Sequence, residues 1–155
     1  MTGACDNFSR MDKLCNQTKN VFLLAQFFQG FHASRQTLDL AVELKTDYAN
    51  FYCAMAYPGS QLHRDFSTKH PSALPENNDV GWIGYSQHAY ETFNLPTDKL
   101  SNGQILRFRD EAFIEYFTNH SYLDRMYKKF GDQFRNEMDK MMSIKLKRKK
   151  HIREE

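Results

Sequence analysis

The chain has 155 residues, of which 41% are hydrophobic and 26% are charged, which is typical of one globular domain with a modest core. No stretch approaches the roughly 20 apolar residues that a membrane span needs, and the polar N-terminus has no apolar signal sequence. We therefore expect a cytoplasmic protein without a membrane partner. The aromatic content of 14% requires many rings to pack in the core or against a partner.

The formal net charge of +2 is unevenly distributed along the chain. Residues 145–155 hold six Lys or Arg and two Glu, so the rest of the chain carries a net charge of −2. A nucleic-acid contact would therefore depend wholly on this tail. The tail sequence KLKRKKHIR more often indicates a solvated helix end, where basic residues interact favourably with the helix dipole. We expect no nucleic-acid partner.

The cysteines offer no metal-binding pattern. Cys5, Cys15 and Cys53 form no close pair, whereas thiolates that share a zinc or iron centre usually stand about two or three residues apart. No two histidines have the spacing of a metal-binding pair either. We expect buried or incidental thiols and no metal site.

The first half of the chain is predicted to contain a strand, a helix and a second strand. Residues 1–19 lack periodicity, and the apolar run Asn20–Phe28 predicts a buried strand. Ser34 is a suitable N-cap for a helix that reaches Lys45. The run Tyr48–Gly59 is rich in β-formers and ends in a turn. Such a unit crosses over right-handed and pairs its strands in parallel, but two strands leave exposed edges, which indicates part of a larger object.

The second half of the chain is predicted to be a long loop followed by helices. Residues 67–100 are rich in turn formers and lack a clear period. Ser101 and Gln104 form a capping-box pattern at the start of the clearest helix. Asn119 can cap the next helix, and Gly131 is predicted to end it before a third helix begins.

Several segments of the sequence resemble a known family. They are ANFYCAMAYPGSQL, GYSQHAYETFNLPT, LSNGQILRFRDEAFIEYFTN and YLDRMYKKFG, in that order. Together they are similar to the C-terminal third of cobalamin-binding-type radical S-adenosylmethionine (radical SAM) proteins, whose last barrel strands carry a YPGS/T turn and whose helical extension carries GYSQHSYE and LRFRDEAF. The resemblance covers residues 38–146, about 110 of the 155 residues.

The resemblance implies an α/β fold. It predicts a partial parallel (β/α) barrel, represented by its last βαβ unit, followed by an all-helical C-terminal extension. On this basis, residues 1–19 are a divergent lead-in, 20–66 the barrel portion, 67–100 the long loop, and 101–155 the extension with its basic tail.

The resemblance is incomplete in a way that affects function. The family binds a four-iron four-sulfur cluster through a C-x3-C-x2-C motif that this sequence lacks, and the cobalamin-binding domain is also absent. The resemblance therefore implies a C-terminal fragment that contributes barrel wall and a substrate-side loop and is inactive alone. Its partner would be the missing N-terminal portion or a separate subunit that carries it.

The resemblance also implies cofactors and leaves an alternative function open. The full-length proteins use the cluster, S-adenosylmethionine and cobalamin, often as methyltransferases, and none of the three is expected to bind this chain alone. The alternative is a non-catalytic docking or substrate-recognition module that works with a cluster-bearing subunit.

Site residues follow from the matched segments. By the resemblance, the backbone at the carboxyl end of the second strand lies near the adenosyl group of the cofactor, in agreement with ligand sites in barrels. These cofactor-side residues are Ala54, Met55, Ala56 and Tyr57. The substrate-side candidates are Gln87, His88, Tyr90, Glu91 and Arg107. Two of them have a structural alternative: His88 as a hydrogen-bonding anchor of the extension, and Arg107 as the helical ion-pair partner of Glu111.

Overall fold

The computed structural model describes residues 20–23 and 31–149 of the chain. It contains four α-helices: α1 (Phe31–Glu43), α2 (Gln61–Lys69), α3 (Asn102–Phe117) and α4 (His120–Ser143). The strands are β1 (Asn20–Leu23) and β2 (Tyr48–Phe51), and three short 3-10 helices span Pro71–Ala73, Pro75–Asn77 and Gly81–Tyr85. No helix in the described ranges combines the length and apolarity needed to cross a membrane. The predictions for residues 1–19, 24–28 and 150–155 lie outside the described residues.

The predicted α/β class with a partial (β/α) barrel is wrong, because the protein is mostly α-helical. The strands do pair in parallel, with Asn20 opposite Tyr48, as the strand–helix–strand pattern predicts. Each strand has only four residues, and the described residues add no third strand. Beyond Phe51, side chains and a loop satisfy backbone groups of the chain where neighbouring strands would, so the described residues form no barrel wall.

Helix α1 differs from its prediction at the N-terminal end. It begins at Phe31, so Ser34 lies inside the helix as a buried residue and is not its N-cap. At the other end, Lys45 adopts a left-handed conformation with φ of 50°. Arg125 from α4 donates to the carbonyls of Lys45 and of Thr46, the latter at 2.6 Å. These bonds attach α4 to the turn that leads into β2.

The predicted caps of α3 and α4 are confirmed. Ser101 Oγ accepts from the backbone N–H of Gln104 at 3.2 Å, and Gln104 Oε1 accepts from the N–H of Ser101 at 2.9 Å. Asn119 Oδ1 accepts from the N–H of Tyr122 at 3.2 Å. The predicted helix end at Gly131 is confirmed, since its φ of 67° and ψ of −152° are non-helical and divide α4 into two helical segments.

The main core lies where α3 packs against β2, α1 and α4. The largest rings in it are Tyr116 and Phe117, which are each 1% exposed and contact Tyr122 at centroid distances of 5.1 and 5.4 Å. A second, smaller cluster of Ala56, Leu74 and Leu95 joins the segment after β2 to the loop. Much of the unusual aromatic content therefore packs within the chain itself.

The buried hydroxyl of Tyr116 joins α3 to the loop before β2, and removing it measures the strength of this connection. It contacts Thr46 Oγ1 at 2.7 Å and donates to the Thr46 carbonyl at 2.9 Å. We expect Tyr116→Phe to lower the free energy of unfolding by about 1–2 kcal/mol, because buried partners lose a hydrogen bond. In the matched control, Tyr127→Phe removes an exposed hydroxyl bonded to Asp132 at 3.2 Å and should cost less than about 0.5 kcal/mol. Urea titration measures both, and equal losses would contradict the assignment.

Candidate functional site

The chain segment that follows β2 is held by two side chains from distant parts of the sequence. The amide of Gln87 accepts from the backbone N–H of Cys53 at 3.2 Å and donates to its carbonyl at 3.1 Å. Arg109 Nε donates to the carbonyl of Phe51 at 2.9 Å. Both side chains are buried. The side-chain amide of Gln87, a substrate-side candidate, is thus hydrogen-bonded to the backbone of Cys53, as the backbone of a neighbouring strand would be.

A carboxylate clamped between two arginines lies next to this segment. Arg109 Nη1 donates to Asp110 Oδ1 at 2.8 Å. Arg148 binds both oxygens of the same carboxylate, with Nε 2.9 Å from Oδ2 and Nη2 2.9 Å from Oδ1. Arg109 and Arg148 are only 4% and 2% exposed. Bidentate, charge-assisted bonds of this kind are the strong class of protein hydrogen bonds.

The basic tail contributes to this cluster, contrary to the prediction of a solvated helix end. Helix α4 ends at Ser143, and residues 144–149 return along the loop. The third nitrogen of Arg148, Nη1, donates to the carbonyl of Ala89 at 3.0 Å and to Thr92 Oγ1 at 2.8 Å. Sequence reasoning missed Arg148, because nothing in a run of six basic residues distinguishes the one that is buried.

His88 is exposed and lies between Gln87, which binds Cys53, and Ala89, whose carbonyl binds Arg148. Partial burial and the positive charges of Arg109 and Arg148 hold the pKa of His88 below its ordinary value, while Asp110 acts in the opposite direction. The neutral form of this imidazole is therefore favoured.

The other substrate-side candidates are spread around this loop. Tyr90 is 44% exposed, and its carbonyl accepts from the N–H of Lys149 at 3.0 Å. Glu91 lines a separate cavity of about 260 Å³, together with Lys149. Arg107 lies on the exposed side of α3. The structure therefore places His88 beside the arginine cluster but does not bring the five candidates to one point.

The cofactor-side candidates differ in what they face. Ala54 lines an open cavity of about 330 Å³, and its carbonyl accepts from the N–H of Leu95 at 2.9 Å. Met55 and Ala56 are buried at 5% and 0% exposure. Tyr57 is 48% exposed, and its ring lies 5.7 Å from that of Tyr85. Of the four candidates, Ala54 alone lines this cavity, with Phe66, Leu95, Ile105, Asp65, Lys69 and Asp98 among the other lining residues.

Sequence reasoning also missed a group of titratable residues between α2 and the 3-10 helices. Glu76 accepts hydrogen bonds from the Tyr85 hydroxyl on one carboxylate oxygen and contacts His63 Nε2 with the other. Burial opposes ionisation of Glu76, but the bonds from Tyr85 and His63 outweigh it and lower its pKa. Burial, with the bond to Glu76, raises the pKa of Tyr85. His63, Glu76 and Tyr85 are 9 to 22 positions apart in the sequence, so no short sequence motif indicates that they meet.

The described residues do not fit an iron–sulfur cluster. Within residues 20–23 and 31–149, no three His, Cys, Asp or Glu side chains come together in a way that could hold a metal ion. Cys53 is 4% exposed and belongs to the main core. Three convergent thiolates are needed to hold such a cluster with an open iron site, and Cys5 and Cys15 lie outside the described residues.

Comparisons with protein-family models, with curated proteins and with solved structures found no match for this chain. The relationship to radical SAM proteins is therefore a proposal that depends on the resemblance of the sequence segments, their order and their spacing.

Arg148 offers a direct test of the clamped carboxylate. We expect Arg148→Met to lower the free energy of unfolding by about 1–3 kcal/mol, because Asp110, the Ala89 carbonyl and Thr92 lose the hydrogen bonds that the guanidinium donates. Lys147→Met is the matched control, since Lys147 is exposed one position away, and it should change stability by less than about 0.5 kcal/mol. Urea unfolding gives both values. Similar values for the two variants would mean that the tail does not stabilise the fold.

Glu76 should make stability depend on acid pH. Its folded pKa lies below the ordinary 4.5, so its contribution is fully present above about pH 4.5 and is lost as pH falls through the folded value. The stability difference between the wild type and Glu76→Gln should therefore shrink between pH 6 and pH 3 in urea titrations. Tyr85→Phe keeps the ring but removes one donor, and should show a weaker pH dependence than the wild type. A difference that stays constant with pH would contradict this assignment.

Proposed function

We propose that the chain is the C-terminal region of a cobalamin-binding-type radical SAM protein and acts only with polypeptide that carries the cluster ligands. In this proposal it supplies the segment after β2 and a substrate-side loop to the reaction centre, and it has no activity alone. The cytoplasmic setting expected from the sequence belongs to the same proposal.

One observation supports the proposal above the others: the separate segments that resemble the family meet at one place. Cys53 belongs to the first segment, Gln87 to the second and Arg109 to the third. Gln87 binds the backbone of Cys53, and Arg109 binds the neighbouring carbonyl of Phe51. Since ligand sites in strand–helix–strand folds lie at the carboxyl ends of strands, this convergence suits a role at a reaction centre.

The proposal gives the chain a supporting role in the chemistry. Because the described residues do not fit the cluster, no reaction step is assigned to them. Ala54, beside its open cavity, is the residue of this chain best placed to contact S-adenosylmethionine held by a partner. In cofactor enzymes of this kind the protein contributes orientation and exclusion of water.

A docking module without a role in catalysis is the second candidate function. It is favoured by exposed apolar side chains, since Trp82 is 71% exposed, Ile83 55% and Tyr57 48%, and the rings of Trp82 and Tyr57 both lie near Tyr85. Large exposed apolar groups that lie together often mark protein contact sites.

Complementation tests both candidates. A cobalamin-binding-type radical SAM protein truncated before its matching C-terminal region is mixed anaerobically with this chain, and 5′-deoxyadenosine formation is measured. We expect formation at least about tenfold above that of the truncated protein alone, because the added chain positions the substrates and excludes water. Ala54→Trp, which fills the cavity, should abolish the gain, whereas the exposed control Ser72→Trp should retain it.

Each other outcome of this experiment has a distinct meaning. Complex formation without 5′-deoxyadenosine would favour the docking module. Failure to form a complex would refute both candidates. A stoichiometric cluster absorbance after reconstitution of this chain alone with iron and sulfide would refute the supporting role.

A further inference from the structure

The arginine cluster carries more positive than negative charge. Arg109 and Arg148 each contribute one positive charge, and Asp110 contributes the one carboxylate that both of them bind. The two arginine side chains are 5% and 0% exposed, and that of Asp110 is 17% exposed. Buried charges are costly unless they are paired. Among the residues that the structure describes, the cluster therefore holds two positive charges and one negative charge, and an anion would balance the difference.

Of the two arginines, Arg109 is the one that keeps a guanidinium nitrogen for an anion. All three nitrogens of the Arg148 guanidinium donate hydrogen bonds. Arg109 uses Nε on Phe51 and Nη1 on Asp110, while its Nη2 has no hydrogen bond to any residue that the structure describes. The guanidinium of Arg109 also lies 5.7 Å from the ring centre of Phe113, which fixes its orientation.

His88 lies in the loop next to this cluster. It is exposed, and its two neighbours in the chain are bound there, Gln87 to Cys53 and Ala89 to Arg148. Because partial burial and the two arginines favour the neutral ring, His88 can donate one N–H to an anion without adding a further positive charge. A bound anion would in turn favour protonation of the ring, which makes His88 a reporter for binding.

We propose that Arg109 and His88 bind an oxyanion, the carboxylate or phosphate group of a small molecule, beside the carboxyl end of β2. Guanidinium groups match the geometry of such oxygens. The identification of this anion with a substrate depends on the function proposed above, but anion binding itself does not. If the proposed function holds, the site predicts that the substrate carries an anionic group.

The test follows the His88 imidazole of the full chain by two-dimensional NMR, with His88→Gln identifying its resonance. Inorganic phosphate and acetate are added in separate titrations, with chloride keeping the ionic strength constant. We expect a saturable shift of the His88 resonance and a rise in its pKa, with His63, His70 and His120 little changed. Saturation by phosphate alone would identify a phosphate group, and tighter binding of acetate would identify a carboxylate.

Variants locate the site. Arg109→Met should weaken anion binding at least about tenfold, because a charge-assisted hydrogen bond is lost. Arg64→Met is the control, since Arg64 is an exposed arginine on α2 that bonds locally. Because Arg109 also holds Phe51, Arg109→Lys keeps the charge and removes only the forked geometry, and it should give an intermediate affinity.

Three results would overturn the inference. They are a His88 resonance that does not respond to either anion, equal and non-saturable shifts of all histidines, and unchanged affinity in folded Arg109→Lys. Anion binding without complementation of a truncated radical SAM protein would leave the site in place and remove only its assignment to that substrate. Complementation without anion binding would support the proposed function and refute the anion site.

Discussion

The carboxylate of Asp110 is the point on which the arrangement of the described residues depends. It lies on α3 and accepts hydrogen bonds from Arg109 on the same helix and from Arg148 in the returning tail. Arg109 extends the connection to the carbonyl of Phe51 at the end of β2. Because buried ions must remain paired, one small network holds a helix, a strand end and the C-terminal segment together. The loop that includes His88 lies over this network.

The same network explains why the sheet ends after four residues of β2. The run beyond Phe51 has the apolar, β-rich composition of a longer strand, but β2 ends at Phe51. Its polar backbone groups must be satisfied once they are buried, and Gln87 satisfies those of Cys53 as a paired strand would. The Leu95 N–H does the same for the Ala54 carbonyl. The carboxyl end of the strand is thereby surrounded by loop and helix residues, which suits a binding site better than an extended sheet would.

The functional proposals depend on this convergence. The matched sequence segments come from distant parts of the chain, and their side chains meet within one hydrogen-bonded region, in which the described residues include two arginines and one aspartate. The exposed rings of Tyr57 and Trp82 lie on the segments that flank it. Both proposals, a supporting role beside a reaction centre and the binding of an anionic substrate group, use that region. They are nevertheless independent, because an experiment can refute one and leave the other in place.

The sequence by itself determined the features that depend on near neighbours. The capping box of Ser101 and Gln104 and the cap at Asn119 were predictable because donor and acceptor lie three residues apart. The parallel pairing of β1 and β2 followed from the single intervening helix. Only the tertiary structure decided which member of the basic tail is buried and what pairs with the chain after Phe51. Those choices depend on contacts between residues more than 30 positions apart, whose free energy arises from burial and desolvation and leaves no local pattern in the sequence.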